Sequence, residues 1–135
     1  MGQQQLLLLV IGIVVVGFAV LAGFDAIQKH TRQDEADGLL DRTLAIATHA
    51  VYWKTKNDPF NGGNQSYAGL ATDGMKALAL DTTTVRGQFD ITGAWADSLE
   101  ITAVSSRYPD IAVRVTVERY DIKRTLVAYD GSITL

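Results

Sequence analysis

The sequence predicts an α+β fold in which a long N-terminal α-helix packs on a small antiparallel β-sheet. Three observations predict it. Residues 1–24 contain no Asp, Glu, Lys, Arg or His, and residues 25–56 continue without proline and with apolar side chains at helical spacing. The last third of the chain alternates apolar and polar residues, which is typical of strands. With 135 residues in all, the chain has room for one small domain beyond the helix.

An uninterrupted apolar segment occupies residues 6–24. Its length of about 19 residues corresponds to roughly 28 Å of helix, close to the ~30 Å hydrocarbon core of a bilayer. Because the segment carries no charge, it has no face for water, and we expect burial all round in lipid or among copies of itself. The predicted membrane or filament-core residues are Leu6, Leu7, Leu8, Leu9, Val10, Ile11, Ile13, Val14, Val15, Val16, Phe18, Leu21 and Phe24.

Three interpretations of this N-terminal segment predict different mature proteins. A secretory signal peptide would be cleaved near Ala22, but it normally begins with Lys or Arg and has a shorter apolar run. A plain membrane anchor fits the length, although the flanking charges give no orientation. The third interpretation is one continuous helix from about Gln3 to about Thr55, roughly 80 Å long at about 1.5 Å per residue.

The second half of that helix is amphipathic, which favours the third interpretation. A lone anchor needs no amphipathic extension. A subunit needs one if it packs one half of its helix into a bundle and carries a domain on the other half. We therefore predict an apolar helix at 1–24, its amphipathic continuation at 25–56 and a head domain at 57–135. The predicted apolar face comprises Ile27, Ala36, Leu39, Leu40, Leu44, Ile46, Ala47, Ala50 and Val51, opposite Asp34, Glu35, Asp37, Asp41, Arg42 and Thr48.

Three glycines, Gly12, Gly17 and Gly23, lie within the apolar half. Their spacing of five and six residues differs from the four-residue repeat of small residues found in closely packed helix pairs. Each glycine lowers helix propensity by up to ~1 kcal/mol. We predict weak points at which the helix stretches or unwinds; the alternative is that glycine is simply common in membrane helices.

The head domain begins with a turn-rich loop, in which Pro59 cannot continue the helix. A short helix is predicted from Asp73 to Leu80, with Thr72 or Asp73 as its N-cap. Its core-facing residues would be Met75, Leu78 and Ala79.

Strands are predicted at about 88–92, 99–103, 111–118 and 123–128, with 133–135 as a candidate for a further strand. Ile111, Val113, Val115 and Val117 would form the apolar face of the third strand. Short turns between sequential strands predict an antiparallel meander, covered by the amphipathic half of the helix.

No residue pattern points to catalysis, a metal or a cofactor, and we predict a protein that is not an enzyme. The chain has no cysteine, and His30 and His49 lie more than five helical turns apart. No nucleotide-binding or nucleophile motif occurs. The net charge is −3 with basic and acidic residues interspersed, so we predict no nucleic-acid partner. We interpret most aromatic residues, from Tyr52 to Tyr129, as core or subunit-contact residues.

The order of a short polar stub, an apolar helical half, an amphipathic half, a loop and an antiparallel sheet resembles the type IV pilin superfamily. The likeness is specific in sequence only over about Met1 to Phe24. It implies a subunit that sits in the inner membrane by its apolar helix and is handled by pilus assembly machinery. It also implies that identical subunits then pack helix against helix into an extracellular homopolymeric filament, with the head domains outside.

Two positions depart from the pattern of this family. Pilins usually carry a short basic leader ending in glycine, and none precedes Met1 in this sequence. They also usually have a glutamate four residues beyond the mature N-terminus, which pairs with a neighbour's N-terminal amine. If Met1 is that terminus, the matching residue is Gln5, which accepts a hydrogen bond but supplies no charge. Met1 and Gln5 are thus the predicted assembly-register residues, and we expect the register-setting ion pair to be lost.

The sequence therefore predicts a structural subunit of a type IV pilus-like filament, located in the inner membrane before assembly and on the cell surface afterwards. One alternative is a minor pilin or pseudopilin of a secretion or uptake machine, which makes only a short tip. Another, of a different class, is a membrane-anchored small domain that binds a partner or ligand.

Overall fold

A computed structural model describes residues 2–135 and has the α+β class that the sequence predicts. The N-terminal helix is continuous across both predicted halves. It begins one residue before the predicted start and ends at the predicted residue, Thr55. The elements in chain order are α1 (Gly2–Thr55), a 3₁₀ turn (Ala68–Leu70), α2 (Gly74–Ala77), β1 (Gly87–Ala94), β2 (Ser98–Ser105), β3 (Ala112–Glu118) and β4 (Asp121–Ala128). The chain forms two compact units, residues 1–33 and residues 34–135.

The four strands form one antiparallel sheet in the order β1-β2-β3-β4, so the predicted meander is confirmed. In its centre Ile101 of β2 pairs with Val115 of β3, which in turn pairs with Thr125 of β4. The register shifts once between β1 and β2, after Ile91. It shifts again between β3 and β4, where Lys123 is the additional residue. The strand β4 is an edge, and its first seven residues are exposed.

The core of the second unit lies between the sheet and the amphipathic part of α1. All four predicted apolar positions from Ile111 to Val117 are fully buried. Burying one such side chain stabilises the fold by about 1.5–3 kcal/mol. Because the spacing of three and four residues places them on one face of α1, Ala36, Leu39, Ile46, Ala47 and Ala50 share this core. Asp37, Asp41, Arg42 and Thr48, on the opposite face, are exposed as predicted.

Three details differ from the sequence-based expectation. The helix α2 ends at Ala77, because Ala79 adopts a left-handed conformation with φ of 55°, and Ala79 is exposed rather than in the core. Residues 133–135 form no strand, because the chain turns at Gly131, whose N–H donates to the Asp110 carbonyl at 3.0 Å. Ile27 belongs to the first unit and is 63% exposed, so it does not extend the core face of α1.

A buried lysine joins the end of α1 to two hairpin turns, which the sequence analysis did not anticipate. Lys54 is 1% exposed. Its Nζ lies 3.2 Å from Asp97 Oδ1, in the β1–β2 turn, and donates to the Arg119 carbonyl, in the β3–β4 turn, at 3.4 Å. The ammonium also lies over the rings of Tyr67 and Tyr120, 4.5 Å and 4.9 Å from their centroids. We call these five residues the Lys54 clamp.

The clamp fixes the conformation of both turns and of the loop that follows α1. The Tyr67 hydroxyl donates to the Arg119 carbonyl at 2.6 Å, and the Arg119 N–H donates to the Asp97 carbonyl at 2.6 Å. Arg119 has a positive φ of 56°, which a non-glycine residue adopts only where its surroundings hold it. Because a buried ammonium without partners would cost several kcal/mol, these contacts explain how Lys54 is accommodated.

One tyrosine of the clamp has a raised pKa. Burial, followed by the charges of Tyr120 and Asp97, raises the pKa of Tyr67 from 10.0 to about 12. Since the folded pKa exceeds the unfolded one, this contribution to stability is fully present below pH 10 and is lost as the pH rises towards 12. We expect an absorbance titration of the folded protein to show one phenol that ionises near pH 12.

Replacing Tyr67 with Phe should remove this ionisation near pH 12. Tyr52→Phe should leave it in place, since Tyr52 lies on α1 with an exposed side chain. An ionisation near pH 12 that survives in the Tyr67→Phe variant would show that another tyrosine produces it.

Candidate functional site: the apolar half of the N-terminal helix

The large apolar side chains of residues 6–24 are exposed on every side of α1. Their exposed fractions run from 47% at Val10 to 69% at Leu8 and Phe18. A run of this kind is far larger than the apolar patches that water-soluble monomers leave uncovered. The segment therefore requires a non-aqueous cover from outside the chain.

The segment also meets the length requirement of a membrane span. The helix α1 is the one described helix that is long and apolar enough to cross a membrane, and none of its apolar window is buried within the protein. The segment is α-helical throughout, and an α-helix satisfies its backbone N–H groups beyond the first turn internally, as a lipid environment demands. The helix can thus anchor the chain in a membrane.

The three glycines of this segment are α-helical and open to their surroundings. Apart from the adjoining residues and backbone of α1 itself, no heavy atom lies within 4 Å of the position where a Cβ would stand on Gly12, Gly17 or Gly23. Another helix could therefore approach the backbone closely at these points. The predicted role of the three glycines as weak points stays a prediction.

The N-terminal end of α1 is polar but uncharged. Gln5 is helical and exposed, and the first turn contains no acidic residue. The first N–H groups of a helix lack partners within it and carry partial positive charge, so an acceptor from a neighbouring molecule would be stabilised here. Met1, the other predicted register residue, lies outside the described residues, and the role of Gln5 stays a prediction.

Charged residues begin immediately after the apolar segment. Lys29 Nζ lies 2.8 Å from Asp25 Oδ2, one helical turn away, and both side chains are exposed. The hydrogen bond from Lys29 to this carboxylate, together with its charge, raises the pKa of Lys29. Such a pair is stable in water or at a headgroup layer, so it marks the end of the stretch that lipid or neighbouring helices can cover.

The rest of the described chain shows no metal-binding cluster. No group of three or more His, Asp or Glu side chains that could hold a metal occurs among residues 2–135. The cavities of the head domain are open surface grooves. One of about 400 Å³ lies beside His49, Trp53 and Lys76. Among the candidate residues taken from the sequence, the apolar segment is therefore the feature with an unmet physical requirement.

Comparison with known protein families, with curated protein sequences and with solved structures found no match.

Proposed function

We propose that this chain is a structural subunit of a pilus-like filament of the type IV pilin kind, held in the inner membrane before assembly and exposed on the cell surface afterwards. The observation that carries the proposal is the contrast along α1. Residues 6–24 are exposed on every side, while the continuation of the same helix lays one face on a sheet and shares its core. A helix with these two halves suits a shaft that carries a head.

The apolar half serves in two environments under this proposal. In the membrane, lipid covers it; in the filament, the same segment of neighbouring subunits does. Since lipid tails are as apolar as leucine, moving from one to the other gains no hydrophobic free energy, and the helices associate through close packing alone. Under this proposal, contacts between head domains supply the rest of the filament's stability, and the assembly machinery moves the subunits out of the membrane.

Electron microscopy of cells that produce the protein, and of the purified protein after removal of detergent, tests the proposal. We expect filaments that an antibody against the head domain labels along their whole length. Monomeric membrane particles in both preparations would refute a filament subunit. Labelling restricted to the tips of filaments made of another protein would identify a minor pilin or pseudopilin.

A membrane-anchored binding domain is the second candidate, and the ability of α1 to span a membrane favours it equally. It requires no contact between copies. Deleting residues 1–24 would then yield a soluble, monomeric protein that retains its binding partner, and the full-length chain would form no homopolymer.

A further inference from the structure

One tripeptide in the loop after α1 has the acceptor pattern for N-linked glycosylation. The chain contains three asparagines, Asn57, Asn61 and Asn64, and all of them lie in this loop. The transferases recognise an asparagine with Ser or Thr two positions further on and any residue except proline between them. Only Asn64 has this pattern, in Asn64-Gln65-Ser66. The loop therefore holds one acceptor beside two asparagines that lack the pattern.

The structure places this triplet in an exposed turn. Asn64 and Gln65 have positive φ angles of 47° and 70°, and both side chains are exposed. The Asn64 N–H donates to the Lys56 carbonyl at 3.3 Å, and the Gln65 N–H donates to the Lys54 carbonyl at 2.9 Å. These bonds hold the main chain against the end of α1 and leave the Asn64 side chain in water. Because a glycan is bulky and hydrated, a surface turn of this kind can carry one without disturbing the core.

Two residues of the triplet also have structural roles. Asparagine adopts the left-handed region more readily than most residues, so Asn64 suits its φ of 47°. The Ser66 hydroxyl oxygen accepts a hydrogen bond from the Ala68 N–H at 3.1 Å, at the start of the 3₁₀ turn. Aspartate also tolerates the left-handed region, and threonine retains the hydroxyl. Substitutions therefore exist that keep the fold of the turn while changing or keeping the acceptor.

We propose that Asn64 is a site of N-linked glycosylation. The donor is a saccharide activated on a lipid phosphate. The Asn64 Nδ2 forms a bond to the anomeric carbon of the sugar, and the bond between that carbon and the phosphate oxygen breaks. The lipid phosphate leaves with the electron pair, and the proton that Nδ2 loses passes to a basic group of the transferase.

The timing of the transfer follows from the position of Ser66. A transferase needs access to the Asn64 amide and to the Ser66 hydroxyl together, but Ser66 is half-buried in the fold and bonded to the Ala68 N–H. Transfer therefore precedes the folding of the loop onto α1. The inference rests on the proposed function in one respect, the export of the head, because N-linked acceptors lie in surface loops of exported proteins.

The glycan also limits how subunits can pack. A bulky hydrated group cannot be buried between two heads without losing its water. The turn at Asn64 must then face water in the filament. Asn64→Asp, which removes the acceptor but keeps the left-handed preference, should therefore leave filament assembly unchanged.

Mass spectrometry of the full-length protein, purified from its own cells, tests the modification. Trypsin cuts after Lys56 and Lys76, so one peptide, residues 57–76, holds all three asparagines. We expect this peptide to carry the mass of a saccharide, and fragmentation to place the saccharide on Asn64. A peptide found only at its unmodified mass would overturn the inference, as would a saccharide placed on a hydroxyl group or on Asn57 or Asn61.

Four variants separate the acceptor from the structure of the turn. Asn64→Asp and Ser66→Ala should lose the saccharide completely, whereas Ser66→Thr should retain it. Asn61→Asp is the matched control, since Asn61 is exposed in the same loop but lacks the acceptor pattern, and this variant should also retain the saccharide. A saccharide that persists in the Asn64→Asp variant, or that disappears equally in the Asn61→Asp variant, would contradict modification at Asn64.

The outcomes distinguish this inference from the proposed function. Filaments whose subunits carry a saccharide on Asn64 support both. Filaments with an unmodified Asn64 overturn the glycosylation and leave the filament standing. A saccharide on Asn64 of a protein that forms no filaments supports the glycosylation and overturns the filament. An unmodified protein that forms no filaments overturns both.

Discussion

Replacing Ile13 with Asp abolishes filament assembly and leaves the head domain folded, if the apolar half of α1 forms the filament core. Ile13 is at the middle of the apolar segment and 65% exposed within the single chain, so the variant disturbs nothing inside one subunit. In the assembled core, each copy would bury one carboxylate. A charge at the centre of a membrane helix costs about 3 kcal/mol by insertion measurements, and a dry helix bundle offers it no better partner.

The measurement is the yield of sedimentable filaments, checked by electron microscopy, beside the thermal midpoint of the head domain. Ile13→Leu is the matched control for volume, and Thr48→Asp controls for an added charge on an exposed face of the same helix. Both should assemble normally. Normal filaments from the Ile13→Asp variant would mean that this part of α1 does not lie in a packed core.

Replacing Lys54 with Ala destabilises the head domain by about 3 kcal/mol, the typical cost of emptying a fully buried long side chain. The change removes the ammonium from between Tyr67 and Tyr120 and its contacts with Asp97 and the Arg119 carbonyl. It also leaves a cavity where the three methylene groups beyond Cβ lay. For a domain of this size we expect the thermal midpoint to fall by roughly 10–20 °C.

Two companion variants separate packing from charge. Lys54→Met retains most of the volume, and because Asp97 is largely exposed it leaves no buried charge behind, so we expect a loss of only about 1 kcal/mol. Lys56→Ala is the matched control, since Lys56 has an exposed ion pair two residues further along the chain, and its loss should stay below about 0.5 kcal/mol. Equal destabilisation by Lys54→Ala and Lys56→Ala, measured by urea unfolding, would argue against the clamp.

The strong periodic segments of the sequence predicted their structure well. The core face of β3 follows from strict alternation at Ile111 to Val117, because side chains in a strand point alternately to opposite faces. The core face of α1 follows equally from its spacing of three and four. Short segments were less predictable. The helix α2 ends at Ala77, earlier than expected, and the left-handed conformation of Ala79 that follows is one that no local preference of alanine indicates.

Lys54 illustrates a different limit of sequence analysis. In the sequence it is an ordinary lysine at the end of a helix, where a cation is expected to face water and the helix dipole. Its burial depends on Tyr67, Asp97 and Tyr120, which lie between 13 and 66 positions further along the chain. Contacts over such separations arise only when the helix, the loop and both hairpin turns are folded together.

The apolar segment and the exposed side chains of Phe60 and Val85 show what the sequence determines by itself and what only the fold decides. That residues 6–24 must leave water follows from composition alone, because nineteen or so uncharged residues in a helix have no polar side to offer. Which surfaces of the head remain open does not follow from composition, because Val85 and Phe60 resemble many apolar residues that end in a core. In the fold, the inner faces of α1 and the sheet pack against each other, and Val85 and Phe60 lie outside that core at 100% and 99% exposure.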